Sequence, residues 1–139
     1  MSESENVKIV QDAYAAFGRG DIPSLLASLS DDVVWTLPGA PLIPQAGTYR
    51  GPEGVAQFFQ KLAQTTEFLA FEPREFVAQG DRVIALGSYQ AKGIATGRSF
   101  AADWAMSFTI RDGKVVKFQE FTDTASIAPI YASSVGASA

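Results

Sequence analysis

The sequence predicts an α+β domain in which three N-terminal helices pack on one face of a curved, mainly antiparallel sheet. Three observations carry this expectation. Apolar residues recur at helical spacing up to Leu62, the second half changes to strand-like alternation punctuated by Gly-containing turns, and 139 residues with 47% apolar content suffice for one buried core.

Val7, Val10, Tyr14 and Phe17 form a helical stripe widened by Ile9, Ala13 and Ala16, with Gly18 and Gly20 as a stop, so the first helix is expected over Ser4 to Phe17. Asp21 reads as the N-cap of a second, short helix with Pro23 in its first turn and Leu25, Leu26 and Leu29 buried, ending at Ser30-Asp31-Asp32. Val33 to Leu37 reads as a short strand. Pro38 to Pro52 carries four Pro and three Gly and reads as a loop. Pro52-Glu53 then opens a third helix whose apolar face is Val55, Phe58, Phe59 and Leu62.

Four strands are expected after Thr66: Glu72 to Gln79, Arg82 to Lys92, Arg98 to Ile110 and Val115 to Thr122. Gly80-Asp81, Thr96-Gly97 and Asp112-Gly113 separate them, and the last of these is the strongest hairpin signal in the chain. A single domain over residues 1–131 follows, with residues 132–139, rich in Ala and Ser, as a frayed tail.

Composition limits the chemistry. The chain has no His and no Cys, which excludes the Ser-His-Asp triad, the Cys-His dyad, thiol redox chemistry and the usual zinc and iron ligand sets. Catalysis is left to carboxylates, Tyr, Lys, Ser, Thr and backbone amides, with no metal and no cofactor expected. A net charge of -4 disfavours nucleic acid. The acidic start lacks the order of a secretory signal, and no apolar run reaches the length of a membrane span, so a cytoplasmic protein without membrane association is expected.

Alternation sorts the strands into faces. Ala102, Trp104, Met106 and Phe108 should face the helices, with Asp103, Ala105, Ser107 and Thr109 on the other side. In the last strand, Val116 and Phe118 share a row with Glu120 and Thr122, so Glu120 should point inward. A carboxyl on an apolar face is costly to ionise, and desolvation raises its pKa, which makes Glu120 the leading candidate for an acid or base. Two other readings stand beside it: a solvated carboxylate at the mouth of the sheet, or an anchor hydrogen-bonded to Tyr or Trp.

Trp35, Leu37, Tyr89, Trp104, Phe58 and Phe59 either fill the core or line a pocket at the open end of the sheet. Asp31-Asp32 reads as a solvated helix end and Gly51-Pro52-Glu53-Gly54 as a turn and cap. Asp103 reads as a surface or interface residue, and Tyr14 as core.

Several local patterns resemble one family. Tyr14 through Asp21, the Leu-rich helix followed by Ser30-Asp31-Asp32-Val33-Val34-Trp35, Gly47 through Val55, Asp112-Gly113-Lys114-Val115 and Phe118 through Asp123 are similar to the SnoaL-like branch of the nuclear transport factor 2-like superfamily. The resemblance spans about Val7 to Tyr131. It implies a cystatin-like cone, with helices on the concave side of a bent mixed sheet, a deep pocket bordered by the loop from Pro38 to Pro52, and a homodimer joined through the sheet.

Activity is less uniform, since the superfamily holds isomerases, cyclases, hydrolases, dehydratases and binding domains. Ketosteroid isomerases place a catalytic Asp directly before a Pro, and here that position is Leu37 before Pro38. Their oxyanion Tyr falls at Ala13 and their protonated Asp at Trp104. In limonene epoxide hydrolase-like enzymes the Asp and Arg of the second long strand fall at Tyr89 and Gly87, while the Asp of the last strand corresponds to Glu120.

Two functions follow. One is a cofactor-independent isomerase, cyclase or hydrolase acting on a small apolar molecule, with Glu120 as acid or base, Tyr89 as hydrogen-bond donor, and Trp35, Leu37, Phe59, Trp104, Phe118 and Thr122 contacting the substrate. The other is a non-catalytic ligand-binding or dimerisation module.

Overall fold

A computed structural model describes residues 2–132. From residue 133 on, the expected tail lies outside the described residues. Helix α1 (Glu3–Gly18) begins with a reciprocal cap: Glu5 N–H donates to the Ser2 hydroxyl while Ser2 N–H donates to the Glu5 carboxylate. Helix α2 (Ile22–Ala27) is capped by Asp21, which accepts from Ser24 N–H. Helix α3 (Gly51–Thr65) buries Val55, Phe58 and Phe59. Its entry needs Gly51, whose φ of +71° belongs to the left-handed region.

Six strands form one sheet: β1 (Leu29–Leu37), β2 (Gly47–Arg50), β3 (Thr66–Gln79), β4 (Arg82–Gly93), β5 (Ser99–Arg111) and β6 (Lys114–Thr122). Their order is β2-β1-β6-β5-β4-β3. The β1–β6 pair is parallel and the others are antiparallel, so the sheet is mixed and mainly antiparallel. After β6 the chain forms α4 (Thr124–Ile127) and a 3-10 turn over Ala128–Tyr131, whose buried Ile127 and Ile130 join the core. Among the described residues, no helix is long and apolar enough to cross a membrane.

The structure corrects several expected boundaries. Helix α2 stops at Ala27, because Ser28 O accepts Val115 N–H and Leu29 pairs with Val115, which starts β1 early. Asp31-Asp32 therefore lies exposed within a strand rather than at a helix end. The expected loop contains β2, and β3 starts at Thr66, six residues before Glu72. Register shifts at Phe68/Ala70 and Pro73/Glu75 disturb the alternation that sequence reading relies on. The C-terminal helical turns were not foreseen.

Another correction concerns β6. Val115, not Val116, is buried, because the ladder to β5 shifts by one residue between Thr109 and Ile110. Val116 occupies that bulge. Beyond it, Phe118 opposes Phe108 and Glu120 opposes Met106, so the inward row continues through Glu120.

Close packing also depends on Gly87 in β4. A Cβ there would collide with Glu72 O and with Trp104 Cζ2, so the absence of a side chain lets the indole lie flat against the strand.

Candidate functional site

The helices α1 and α3 cover the concave face without filling it. A cavity of about 110 Å³ remains, of the same order as the roughly 150 Å³ apolar cavity that takes benzene. Aromatic rings make most of its wall: Tyr14 and Phe17 from α1, Phe58 and Phe59 from α3, Trp35 from β1, Phe68 and Phe71 from β3, and Phe118 from β6. Their positions are mutually fixed. Trp35 stacks on Phe118 with centroids 3.9 Å apart and an interplanar angle of 18°, an arrangement set by their pairing across the parallel β1–β6 ladder.

One carboxyl interrupts this lining. Glu120 is only 8% exposed and is carried inward by the β6 register. Burial pushes its pKa up to about 7, and the hydrogen bond from Tyr89 opposes that rise only partly. Tyr89 Oη lies 3.4 Å from Glu120 Oε2 and 2.8 Å from Thr122 Oγ1, while Thr122 donates to Asp103 O at 3.1 Å. A phenol has one proton, which these two acceptors share, with the shorter contact to Thr122.

Tyr14 approaches the same carboxyl from α1. Its hydroxyl donates to Met106 Sδ at 3.0 Å, and Met106 is the cross-strand partner of Glu120. Burial, then the negative charge of Glu120, raises the pKa of both Tyr14 and Tyr89, so both phenols keep their protons at neutral pH. Among the described residues, no Lys or Arg lines the cavity to balance the carboxylate.

A second polar cluster lies where the loop after β1 meets the chain end. Gln45 Nε2 donates to Tyr131 Oη at 2.8 Å, Tyr131 Oη and Thr66 Oγ1 are 2.6 Å apart, Thr66 and Thr65 hydroxyls are 3.1 Å apart, and Thr65 Oγ1 donates to Gln45 Oε1 at 3.0 Å. With Tyr131 donating to Thr66 and Thr66 to Thr65, the bonds form a chain whose last proton, on Thr65, is shared between Gln45 Oε1 and the nearer Lys61 O at 2.8 Å. Such chains strengthen each member by polarisation. Gln45 and Thr66 are buried, and three distant chain segments are clasped beside the cavity.

Of the residues singled out from sequence, Glu120, Tyr89, Trp35, Leu37, Phe59, Phe118 and Thr122 all line the cavity. Trp104 does not. Its ring is held between Tyr14 and Phe71, at centroid distances of 5.6 and 5.4 Å, and against Gly87, so it supports the wall from behind. Tyr14 packs against the core as expected, and sequence reading missed that it also lines the cavity, together with the placement of Gln45, Thr66 and Tyr131. For Tyr14 the missing signal is that the aromatic rows of α1 and β5 meet; the other three sit in a loop, at a strand start and in an unforeseen turn.

The pattern of the SnoaL-like domain matches residues 10–118. The chain belongs to the SnoaL-like domain family. Among solved structures, this SnoaL-like chain resembles a nuclear transport factor 2-like protein from Burkholderia xenovorans LB400, with 41% identity and a TM-score of 0.87 over 95% of this chain and 99% of that one. It also resembles TerC co-crystallised with polyporic acid, at 28% identity and a TM-score of 0.83 over 93% of this chain and 99% of that one. An uncharacterised protein of Mycobacterium tuberculosis is 23% identical over 121 residues, 87% of this chain and 91% of its own length. The SnoaL-like fold is thus common to these chains.

Proposed function

We propose that this protein is a cofactor-independent enzyme of the isomerase, cyclase or hydrolase type that acts on a small, mostly apolar molecule. Glu120 takes a proton from the substrate or returns one to it, and Tyr89 orients the carboxyl. The observation that carries this reading is a buried carboxyl, without a basic partner, opening into an apolar cavity with a pKa of about 7. A group poised near the working pH serves as both base and acid, and such catalysis typically contributes ~10²–10⁴ in rate. The crystallised TerC complex supports ligand binding as a use of this fold.

A second reading, a non-catalytic binding module, is favoured by Leu37 and Trp104, which stand where ketosteroid isomerases carry acids. Native mass spectrometry of the purified protein, followed by turnover assays on any co-purified molecule with wild type and Glu120→Gln, separates the two. The enzyme reading expects turnover to fall by ~10²-fold or more in Glu120→Gln with folding intact. Equal turnover removes Glu120 from the mechanism.

A homodimer through the outer sheet face is also proposed, on the strength of Phe121, Val77 and Leu69, which are more than half exposed. Sedimentation equilibrium tests it. The proposed compartment is the cytoplasm, in keeping with the absence of Cys.

A further inference from the structure

Proton accounting at the polar end of the cavity specifies a ligand chemistry. Tyr14 donates to Met106 Sδ, Tyr89 donates to Thr122 and over a longer 3.4 Å to Glu120 Oε2, and Thr122 donates to Asp103 O. None of these protons reaches the second carboxylate oxygen of Glu120. Glu120 Oε1 meets no donor among the described residues, and it is not sealed off as the indole nitrogens of Trp35 and Trp104 are. Tyr89 Oη lies 3.4 Å from Glu120 Oε2, and Tyr14, bonded to the cross-strand partner of Glu120, lines the same cavity.

A complementary ligand must therefore bring donors. An alcohol brings one, whereas an ammonium brings up to three together with the positive charge that the cavity lacks. The surrounding rings add a favourable surface for a cation, because aromatic faces carry negative potential. An anion would meet only the opposite: a like charge, no Lys or Arg, and no uncommitted hydroxyl proton.

We propose that the cavity takes a small apolar amine, its ammonium held by the Glu120 carboxylate and the lone pairs of Tyr14 and Tyr89, with its hydrocarbon body against the aromatic walls. The inference rests on the reading of the cavity as a site for a small apolar molecule. Desolvating an ammonium is costly, and the carboxylate with two further acceptors is what offsets that cost. Binding would hold Glu120 in its ionised form, the form a general base requires.

The groups around Glu120 make the pH behaviour simple. Tyr14 on α1, Tyr89 on β4 and Tyr131 on the C-terminal turn are the other titratable cavity residues, and β1 and β5 contribute only uncharged side chains. Tyr14 and Tyr89 stay protonated at neutral pH, so the change expected there is that of Glu120 itself.

The test is calorimetry with three probes of one shape and different charge: cyclopentylamine, cyclopentanol and cyclopentanecarboxylate, at millimolar concentration. At about pH 8 the amine should bind about tenfold or more tightly than the alcohol, as a charge-assisted hydrogen bond implies, and the carboxylate should give no heat. At about pH 6 the amine's advantage should shrink, since Glu120 takes up a proton while the amine stays charged. Glu120→Gln should abolish the preference for the amine while keeping cyclopentanol binding, and Tyr14→Phe should weaken the amine a few-fold, as loss of one acceptor implies.

Equal or tighter binding of cyclopentanol by the wild type overturns the proposal and leaves the cavity reading intact. So does a preference for the amine that survives in Glu120→Gln, because the ammonium then lies elsewhere. Silence from all three probes overturns both readings.

Discussion

Glu120→Gln should stabilise the protein, and only at neutral and alkaline pH. Glu120 has an ordinary pKa of 4.5, raised in the fold to about 7. The native state therefore holds this proton more tightly than the unfolded chain does. Below pH 4.5 the carboxyl is protonated in both states and costs nothing. As pH rises through the folded pKa, the native state must ionise a desolvated carboxyl, and stability is lost over that window. At about 1.4 kcal/mol for each tenfold change in proton affinity, the full cost above pH 7 is ~3 kcal/mol. Gln has nearly the same shape and no charge to desolvate. Urea titrations should give wild type and variant similar stability near pH 4.5 and a gap of ~3 kcal/mol in the variant's favour near pH 8.5, or ~10 °C in Tm. A gap of the same size at both pH values would refute the reasoning, because it would arise from packing or solvation unrelated to ionisation.

Two other outcomes test the surrounding structure. Gly87→Ala should destabilise by ~2–4 kcal/mol in urea, because its Cβ collides with Glu72 O and the Trp104 ring and must displace a strand or the indole held between Tyr14 and Phe71. Tyr131→Phe removes one hydroxyl from the hydrogen-bonded chain of Gln45, Thr66 and Thr65, leaving buried groups unpaired; a loss of ~1–3 kcal/mol is expected, with amide exchange accelerated first around residues 45 and 128–131.

The helix-then-strand order and helices α1 and α3 were legible because their apolar periods are long and regular, whereas the mixed sheet was an implication of the family resemblance. Glu120 was legible for the same reason, since Phe118, Glu120 and Thr122 alternate without interruption. What escaped was local irregularity that tertiary contacts impose. Val116 looked inward because the bulge beside it leaves no mark in the pattern, and β3 was shortened because its two register shifts break the alternation. Trp104 was assigned to the pocket because its row faces the helices. Facing inward does not decide whether a ring touches empty space or another ring, and here Tyr14 and Phe71 cover it. The clasp of Gln45, Thr65, Thr66 and Tyr131 joins residues up to 86 positions apart, which no local pattern encodes.

The bulge at Val116 also sets a competition between two registers of one hairpin. Were the ladder to continue as it leaves the Asp112-Gly113 turn, Glu120 would oppose Ala105 on the outer face. Phe121, now 53% exposed, would turn inward in its place. Carboxylate solvation favours that straighter pairing, but it would also turn buried Phe118 outward and bring Lys117 and Gln119 inward. The observed register is held by other contacts, among them Phe118 stacked on Trp35 and set edge-on to Phe108. An acid inside the cone is thus the by-product of seating one aromatic ring, and the residues that keep it there are the ones that form the cavity wall.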